Sequence, residues 1–327
     1  MLELRVVSEI LFASILFSID NDILNSRNIS LHNAFGYKVK TWALLKRVGS
    51  LSVIYVAGCA LTFIQLQYFP QITSRAISTL TLTVAIANLL SNKKFVHILT
   101  RVATGRISDE FRLGDILLSD GFVSLSGVLV DIAVCVNLAI ENVPMSDTFT
   151  VDVIGPKIQM VACIPATIRM SQCIIDFRRS KDVSHLFNFL KYSVSNTVNL
   201  MRVLKASDTN WFLETNANVD NALRLALFVN AFYSLYWDLV MDWKLGRLTN
   251  SKAKLSSKRL QHSRCFPLSW YFIAVIADSL LRFTFLISKA GPQSVYMLQI
   301  LEILRRSIWV LFRVESEGEK VIEKPEY

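Results

Sequence analysis

Apolar residues gather into nine stretches, near residues 4–19, 48–68, 72–90, 115–138, 158–175, 187–204, 222–241, 267–287 and 295–312. Most approach the roughly 20 residues that an α-helix needs to cross a hydrocarbon core of about 30 Å; the first is shorter. Polar segments separate them, and none is large enough for a soluble domain. The pattern predicts an all-α, polytopic transmembrane helical bundle of about nine spans. No internal repeat or low-complexity tract interrupts it.

Composition agrees. The chain has 327 residues, 52% of them hydrophobic, and a mean hydropathy of +0.40, too apolar for a soluble protein of this size. No small-residue cleavage site follows the first apolar stretch, so it is expected to stay as a helix. Cys59, Cys135, Cys163, Cys173 and Cys265 make no CxxC pair. Neither a disulfide framework nor a zinc site is expected, and no cofactor is implied.

The net charge of +9 is distributed as a topology signal, with no nucleic-acid motif beside it. Loop 20–47 carries Arg27, Lys38, Lys40, Lys46 and Arg47. Loop 91–114 carries Lys93, Lys94, Arg101, Arg106 and Arg112. Loop 176–186 carries Arg178, Arg179 and Lys181. Loop 242–266 carries Lys244, Arg247, Lys252, Lys254, Lys258, Arg259 and Arg264. The intervening loops hold only Lys157, Lys205 and Lys289, with acids such as Glu141, Asp147, Asp208 and Glu214. The positive-inside rule puts the basic loops and the C-terminus in the cytosol, and nine spans then place the N-terminus on the other side. The sequon Asn28-Ile29-Ser30 falls on the cytosolic side, where no glycan is expected.

The chemistry lies in charges inside the apolar stretches. Asp238 and Asp242 are four residues apart, with Ser234 on the same face. Asp278 and Arg282 are also four apart. Glu302, Arg305 and Arg306 lie at i, i+3 and i+4. Each set projects from one side of its helix. Asp115, Asp120, Asp131, Arg169 and Lys191 add to them, and Pro165 precedes Arg169 by one turn. A charge at mid-bilayer costs roughly 2.5–3.5 kcal/mol on insertion scales. A chain that carries so many is expected to turn them toward a polar path or pocket. Guanidinium groups there point to an anionic ligand, because their fork donates paired hydrogen bonds to phosphate or carboxylate. The alternative is that Asp–Arg pairs such as Asp278–Arg282 only staple helices together. Arg313, Glu315 and Glu317 read as a helix end at the interface, as do Asp242 and Lys244 beside Trp243.

Enzyme chemistry finds little support: HExxH, GxSxG and P-loop motifs are absent. The DxxxD of WDLVMDW lacks the upstream acids and glycines of a membrane phosphotransferase. His32, His97, His185 and His262 are scattered, and no role is assigned to them.

Six segments resemble the EXS-domain family, which includes the SPX–EXS phosphate exporters and the fungal ER-retention-defective proteins. They are LGDILLSD, CIPATIRMSQC, the His185-Leu186-x-Asn188-x-x-Lys191-Tyr192 pattern, YWDLVMDW, ADSLLRF and LEILRRSIWVLFRVESE. The resemblance implies a bundle whose C-terminal six spans enclose a phosphate path. It divides the chain into N-terminal transmembrane helices at 1–95 and an EXS-type domain at 96–327 with a short cytosolic tail. Carried over by position, the phosphate-binding candidates are Arg169, Lys191, Arg282, Arg305 and Arg306. The pathway acids and polar groups are Asp115, Asp238, Asp242, Asp278, Glu302 and Tyr192. Leu118 and Phe285 stand where the exporters carry Asn and Trp, which puts gating and affinity in question. An N-terminal SPX domain and a first family helix are expected to be absent.

The short chain resembles the ER-retention-defective branch most. That implies a multi-pass Golgi membrane protein, with cycling to the ER left open, that moves inorganic phosphate from lumen to cytosol. The transport would support glycosylation and the retention of glycosyltransferases and luminal residents. The implied partners are phosphate and membrane lipids, with glycosyltransferases, sorting adaptors and a homodimer left open. The alternative is a non-transporting trafficking factor whose basic 244–264 segment binds sorting adaptors or anionic lipid.

Overall fold

A computed structural model describes residues 1–37, 39–69, 75–141, 155–206, 216–245, 265–286 and 292–322. Among these residues the chain is all-α. The helices are α1 (Leu2–Ser26), α2 (Thr41–Tyr68), α3 (Ala76–Leu90), α4 (Lys93–Ala103), α5 (Arg112–Ser124), α6 (Ser126–Ile140), α7 (Cys163–Ser180), α8 (Ser184–Ala206), α9 (Asn216–Trp237), α10 (Leu268–Arg282) and α11 (Pro292–Ile322). Every predicted apolar stretch coincides with one of them or with a helix pair.

Three differences from the sequence reading bear on the site. First, stretch 115–138 is not one helix. It breaks at Leu125 into α5 and α6, which meet at 63°. Second, residues 91–114 are not all loop. Asn92 accepts hydrogen bonds from Lys94 N at 3.1 Å and Phe95 N at 3.4 Å and so caps α4. Phe95, Ile98 and Val102 share one face of α4 and Lys94, His97 and Arg101 another, the pattern of an interfacial helix. Third, α9 continues as one π-helical turn over Asp238–Asp242, a distortion that recurs at functional positions.

By length and hydropathy, Thr41–Tyr68, Pro156–Ser180 and Leu268–Leu286 qualify as membrane spans, and the bent α5–α6 pair makes a fourth. The remaining long helices carry the charges described below or, like α3, are short. The bundle exterior suits lipid: Val53, Val56, Phe63, Leu80, Ile140, Leu225, Phe272, Ile273, Ile276 and Leu280 are all exposed. In water that surface would be a liability; around a bundle whose backbone is satisfied within helices, it marks a polytopic membrane protein.

Side-chain contacts show how the helices are threaded. At one end Asn21 donates to Thr41, Arg47 to the carbonyls of Asn88 and Leu89, Arg112 pairs with Asp176, and Glu315 accepts from the backbone of Cys265 and Phe266. At the other end Arg75 pairs with Glu3, Ser8 meets Tyr296 and Lys205 pairs with Asp220. The described parts of all four basic loops therefore gather at one end. Residues 246–264, most of the last of them, lie outside the described residues, as do Lys38, Asp147, Asp208, Glu214 and Lys289.

Two apolar cores hold the bundle. One joins Val6, Val7, Leu51, Leu82, Ala85, Val134 and Leu138 of α1, α2, α3 and α6. The other joins Leu24, Leu117, Trp243, Tyr271, Trp309 and Phe312 around α10 and α11.

Candidate anion-binding site

The site is built on α5, α7, α8, α9, α10 and α11, which turn their charged faces inward. Asp238, on the π-helical turn, is fully buried and forms its hub. Its carboxylate accepts from the Arg282 guanidinium and lies 3.5 Å from both Lys191 Nζ and Arg305 Nη1. Asp278 takes a second hydrogen bond from Arg282 at 2.9 Å and one from Arg305 at 3.0 Å. Glu302 accepts twice from Arg305, at 2.5 and 2.8 Å. Asp278 and Arg282 thus lie one turn apart on α10 and are tied to α11 through Arg305, so the staple and the site share the same groups.

Ser124 stands at the α5–α6 break. Its hydroxyl donates to Glu302 at 2.6 Å and accepts from Arg306 Nε at 2.8 Å. Arg306 also lies over the Trp309 ring, 4.5 Å from its centroid. Its Nη1 is buried without a hydrogen-bond partner, and among the described residues no carboxylate pairs with it. It is the most available anion donor of the group.

Arg169 forms a second node. Its Nε lies 2.7 Å from Asp120, its Nη1 donates to Gln172 at 2.6 Å, and its guanidinium stands over the Tyr192 ring. Tyr192 completes the node by donating to Asp120 at 2.5 Å. Pro165 lies at the start of α7, after a tighter turn over Met160–Ala162; Asn199 of α8 donates to the Ala162 carbonyl at 2.9 Å. That bond satisfies a carbonyl where the helix is irregular.

The structure therefore brings together Arg169, Lys191, Tyr192, Asp238, Asp242, Asp278, Arg282, Glu302, Arg305 and Arg306. It leaves Asp115 apart. Asp115 is buried against Arg101 of α4, which donates at 2.6, 2.9 and 3.1 Å, and against Ser108 N at 2.7 Å. Asp120 takes the place at the site. Residues five apart on a helix point about 140° away from each other, so one helix could not turn both acids to the same side. Ser124 and Asp120 were the less conspicuous members of LGDILLSDGFVS. Ser124 lies between apolar Val123 and Leu125, so the pattern gave it no distinguishing signal.

Asp242, Arg313 and Glu317 are not simply an interfacial rim. Helix α11 continues to Ile322. Asp242 accepts from Trp309 Nε1 at 3.1 Å and lies 3.6 Å from Arg313, which also pairs with Glu317 at 3.1 Å. Glu315 is buried and accepts from Tyr271 and from the backbone of Cys265 and Phe266.

A polar cavity of about 410 Å³ opens above this network at the end that carries the basic loops. Arg112, Asp176, His185, Asn188 and Arg313 line it, and Asp120, Arg169 and Tyr192 border its inner part. Asp182, in its rim, accepts from Ser184 N at 2.9 Å; that hydrogen bond holds its carboxyl below the usual range. Arg112 and His185 belonged to no predicted site, because each reads in sequence as a loop residue.

Such an array has a definite chemistry. Cations and carboxylates are nearly matched in number, buried and hydrogen-bonded to one another. Each carboxylate occupies a position that an anion oxygen could take. An anion would therefore be held by exchange with carboxylates rather than in a permanently vacant cage.

The EXS family matches residues 1–318, which contain every residue of the array. Protein ERD1 of Kluyveromyces lactis is 30% identical over 239 residues, covering 63% of this chain and 59% of that protein. Protein ERD1 of Saccharomyces cerevisiae is 28% identical over 222 residues, 62% of this chain and 54% of its own length. Phosphate transporter PHO1 homolog 4 of Arabidopsis thaliana is 31% identical over 167 residues, 48% of this chain and 21% of that protein. The match spans little more than half of the fungal relatives and about a fifth of the plant one. With the family pattern running over nearly its whole length, and the charged faces it carries converging in one place, this chain is a member of the EXS family.

Proposed function

We propose that the chain is a phosphate transporter that passes inorganic phosphate across the membrane by facilitated, channel-like movement. The observation that carries this reading is the buried array of Arg169, Lys191, Arg282, Arg305 and Arg306, each but Arg306 neutralised by a carboxylate. Similarity to a protein named as a phosphate transporter supports the choice of anion. Phosphate entering the array replaces carboxylates on the guanidinium forks and gives up part of its hydration shell there. The displaced Asp238, Asp278 and Glu302 then return to the same donors, which keeps the ion from being held too tightly to leave.

The polar cavity is the mouth of this path, and the basic loops place it on the cytosolic side. Nine spans put the other mouth in the lumen. Resemblance to the ER-retention-defective branch supports a Golgi location, from which the protein would return phosphate from lumen to cytosol in support of glycosylation and protein retention. On this reading residues 96–327 supply most of the path, with α1 packed against α11 beside it.

The test is efflux of labelled phosphate from proteoliposomes holding purified protein. Arg282→Ala removes a ligand of Asp238 and Asp278 and is expected to abolish the flux while the protein still reaches its membrane in cells. Normal flux through that variant would contradict the reading. Intact flux together with mislocalised glycosyltransferases after charge reversal in 246–264 would favour the trafficking alternative instead.

A further inference from the structure

A second buried charged cluster lies at the opposite end of the bundle from the polar cavity. Glu3, Arg5 and Glu9 come from α1, Asp131 from α6, and Arg75 from the residue before α3. Gln299 of α11 reaches it too, donating to Asp131 at 2.8 Å. Glu3, Glu9 and Asp131 are all buried, Glu3 and Glu9 completely. The guanidiniums are already engaged: Arg75 with Glu3 at 3.3 Å, and Arg5 with Asp131.

Three carboxyls thus share two guanidiniums, and Glu9 is the one left over. Both its oxygens are buried without a hydrogen-bond partner. Its contact with Arg5 Nε is 3.9 Å, beyond hydrogen-bond distance. Toward this end of the elements packed around α1, the other titratable groups are Cys135 of α6, Tyr55, Cys59 and Tyr68 of α2 and Tyr296 of α11; cations farther along these helices are engaged elsewhere, Arg47 with the Asn88 and Leu89 carbonyls, Arg305 with Glu302 and Asp278, and Arg306 with Ser124. An ionised carboxylate in that position would be desolvated and unpaired, at a cost much greater than that of holding a proton. A bound metal would need several ligating groups in one place, and the described residues offer no such group.

We propose that Glu9 is a proton-binding site on the luminal side of the path, and that its proton decides which acid holds Arg5. With Glu9 neutral, Arg5 joins α1 to Asp131 of α6, and Asp131 is held in turn by Gln299 of α11. Loss of the proton draws Arg5 one turn along α1 to Glu9 and frees Asp131 from it. Gln299 precedes Glu302 by three residues on the same helix, so the exchange acts one turn from the anion site. Luminal acidity then sets the state of the luminal half of the path. The link to flux rests on the phosphate reading above, whereas the protonation rests on the cluster geometry alone.

The experiment is infrared difference spectroscopy on the full-length protein in lipid, stepped in pH, beside the flux assay with cytosolic-side pH held fixed. A protonated buried carboxyl gives a carbonyl stretching band. That band is expected in wild type at neutral pH, to fade as pH rises and to be missing from Glu9→Gln. The difference between the two proteins separates Glu9 from other buried acids such as Asp20. Asp131→Asn should also lose the band, because Arg5 then turns to Glu9. In flux, Glu9→Gln should keep transport but lose the part of the luminal pH dependence that distinguishes wild type from it. Identical spectra from wild type and Glu9→Gln would overturn the proposal even if phosphate transport is intact. The expected spectra without any phosphate flux would instead keep the proton site and reject its link to transport.

Discussion

Asp238 accepts or neutralises three cations, Arg282, Lys191 and Arg305. Removing one partner of a buried ion pair costs about 3–5 kcal/mol, because the other charge is left uncompensated. Asp238→Ala should therefore lower the thermal unfolding midpoint in detergent well below that of wild type, with Asp238→Asn losing less. On the proposed function, phosphate would supply the missing negative charge. Added phosphate should raise the midpoint of Asp238→Ala more than that of wild type, and equal shifts would argue against a common site for ion and carboxylate. Much of this was legible in the sequence. The i, i+3 and i+4 spacings of acids and arginines within apolar runs identified their helix faces, and the resemblance supplied the anion. Asp115 was misplaced because a charged residue in a polar helix does not announce its partner. Arg101, which holds it, lies on a helix whose sequence reads as a charged loop.

At the scale of elements, close approaches set the helix positions. A Cβ on Gly114 would lie 2.2 Å from the Ala34 carbonyl oxygen, a contact no rotamer change relieves. Ala34 belongs to a short helix, His32–Phe35; Gly114→Ala should push the start of α5 off it and cost roughly 1–3 kcal/mol, read as a lower unfolding midpoint. A wild-type midpoint would mean that the short helix can yield. The α5–α6 break puts Ser124 between Glu302 and Arg306. Ser124→Ala removes both hydrogen bonds, each worth about 1 kcal/mol and more where a charge is involved. It should change the phosphate concentration at half-maximal flux rather than abolish transport; unchanged concentration dependence would remove Ser124 from the path. Hydropathy located these helices because burial and lipid contact both demand apolar residues. It missed the break, because Leu125 is apolar and no proline marks the site.

For the whole molecule, the threading gathers the described parts of the basic loops at one end and the Glu3–Arg75 contact at the other. The alternation of loop charge had already implied this arrangement. Among the described residues only a few helices pass a test of length and hydropathy, because others such as α8 and α11 carry buried charges and α3 is short. The orientation can be measured with single cysteines introduced into a cysteine-free chain. Cysteine at Arg179 should react with a membrane-impermeant reagent from the cytosolic side, and cysteine at Lys205 only from the luminal side. Labelling of both from one side would contradict the threading. The central claim is a phosphate path through the arginine array, and it is tested most directly by phosphate flux in proteoliposomes of wild type and Arg305→Ala/Arg306→Ala. Flux in wild type that disappears in the double variant is expected. Equal flux in both, or none from folded wild-type protein, would contradict it.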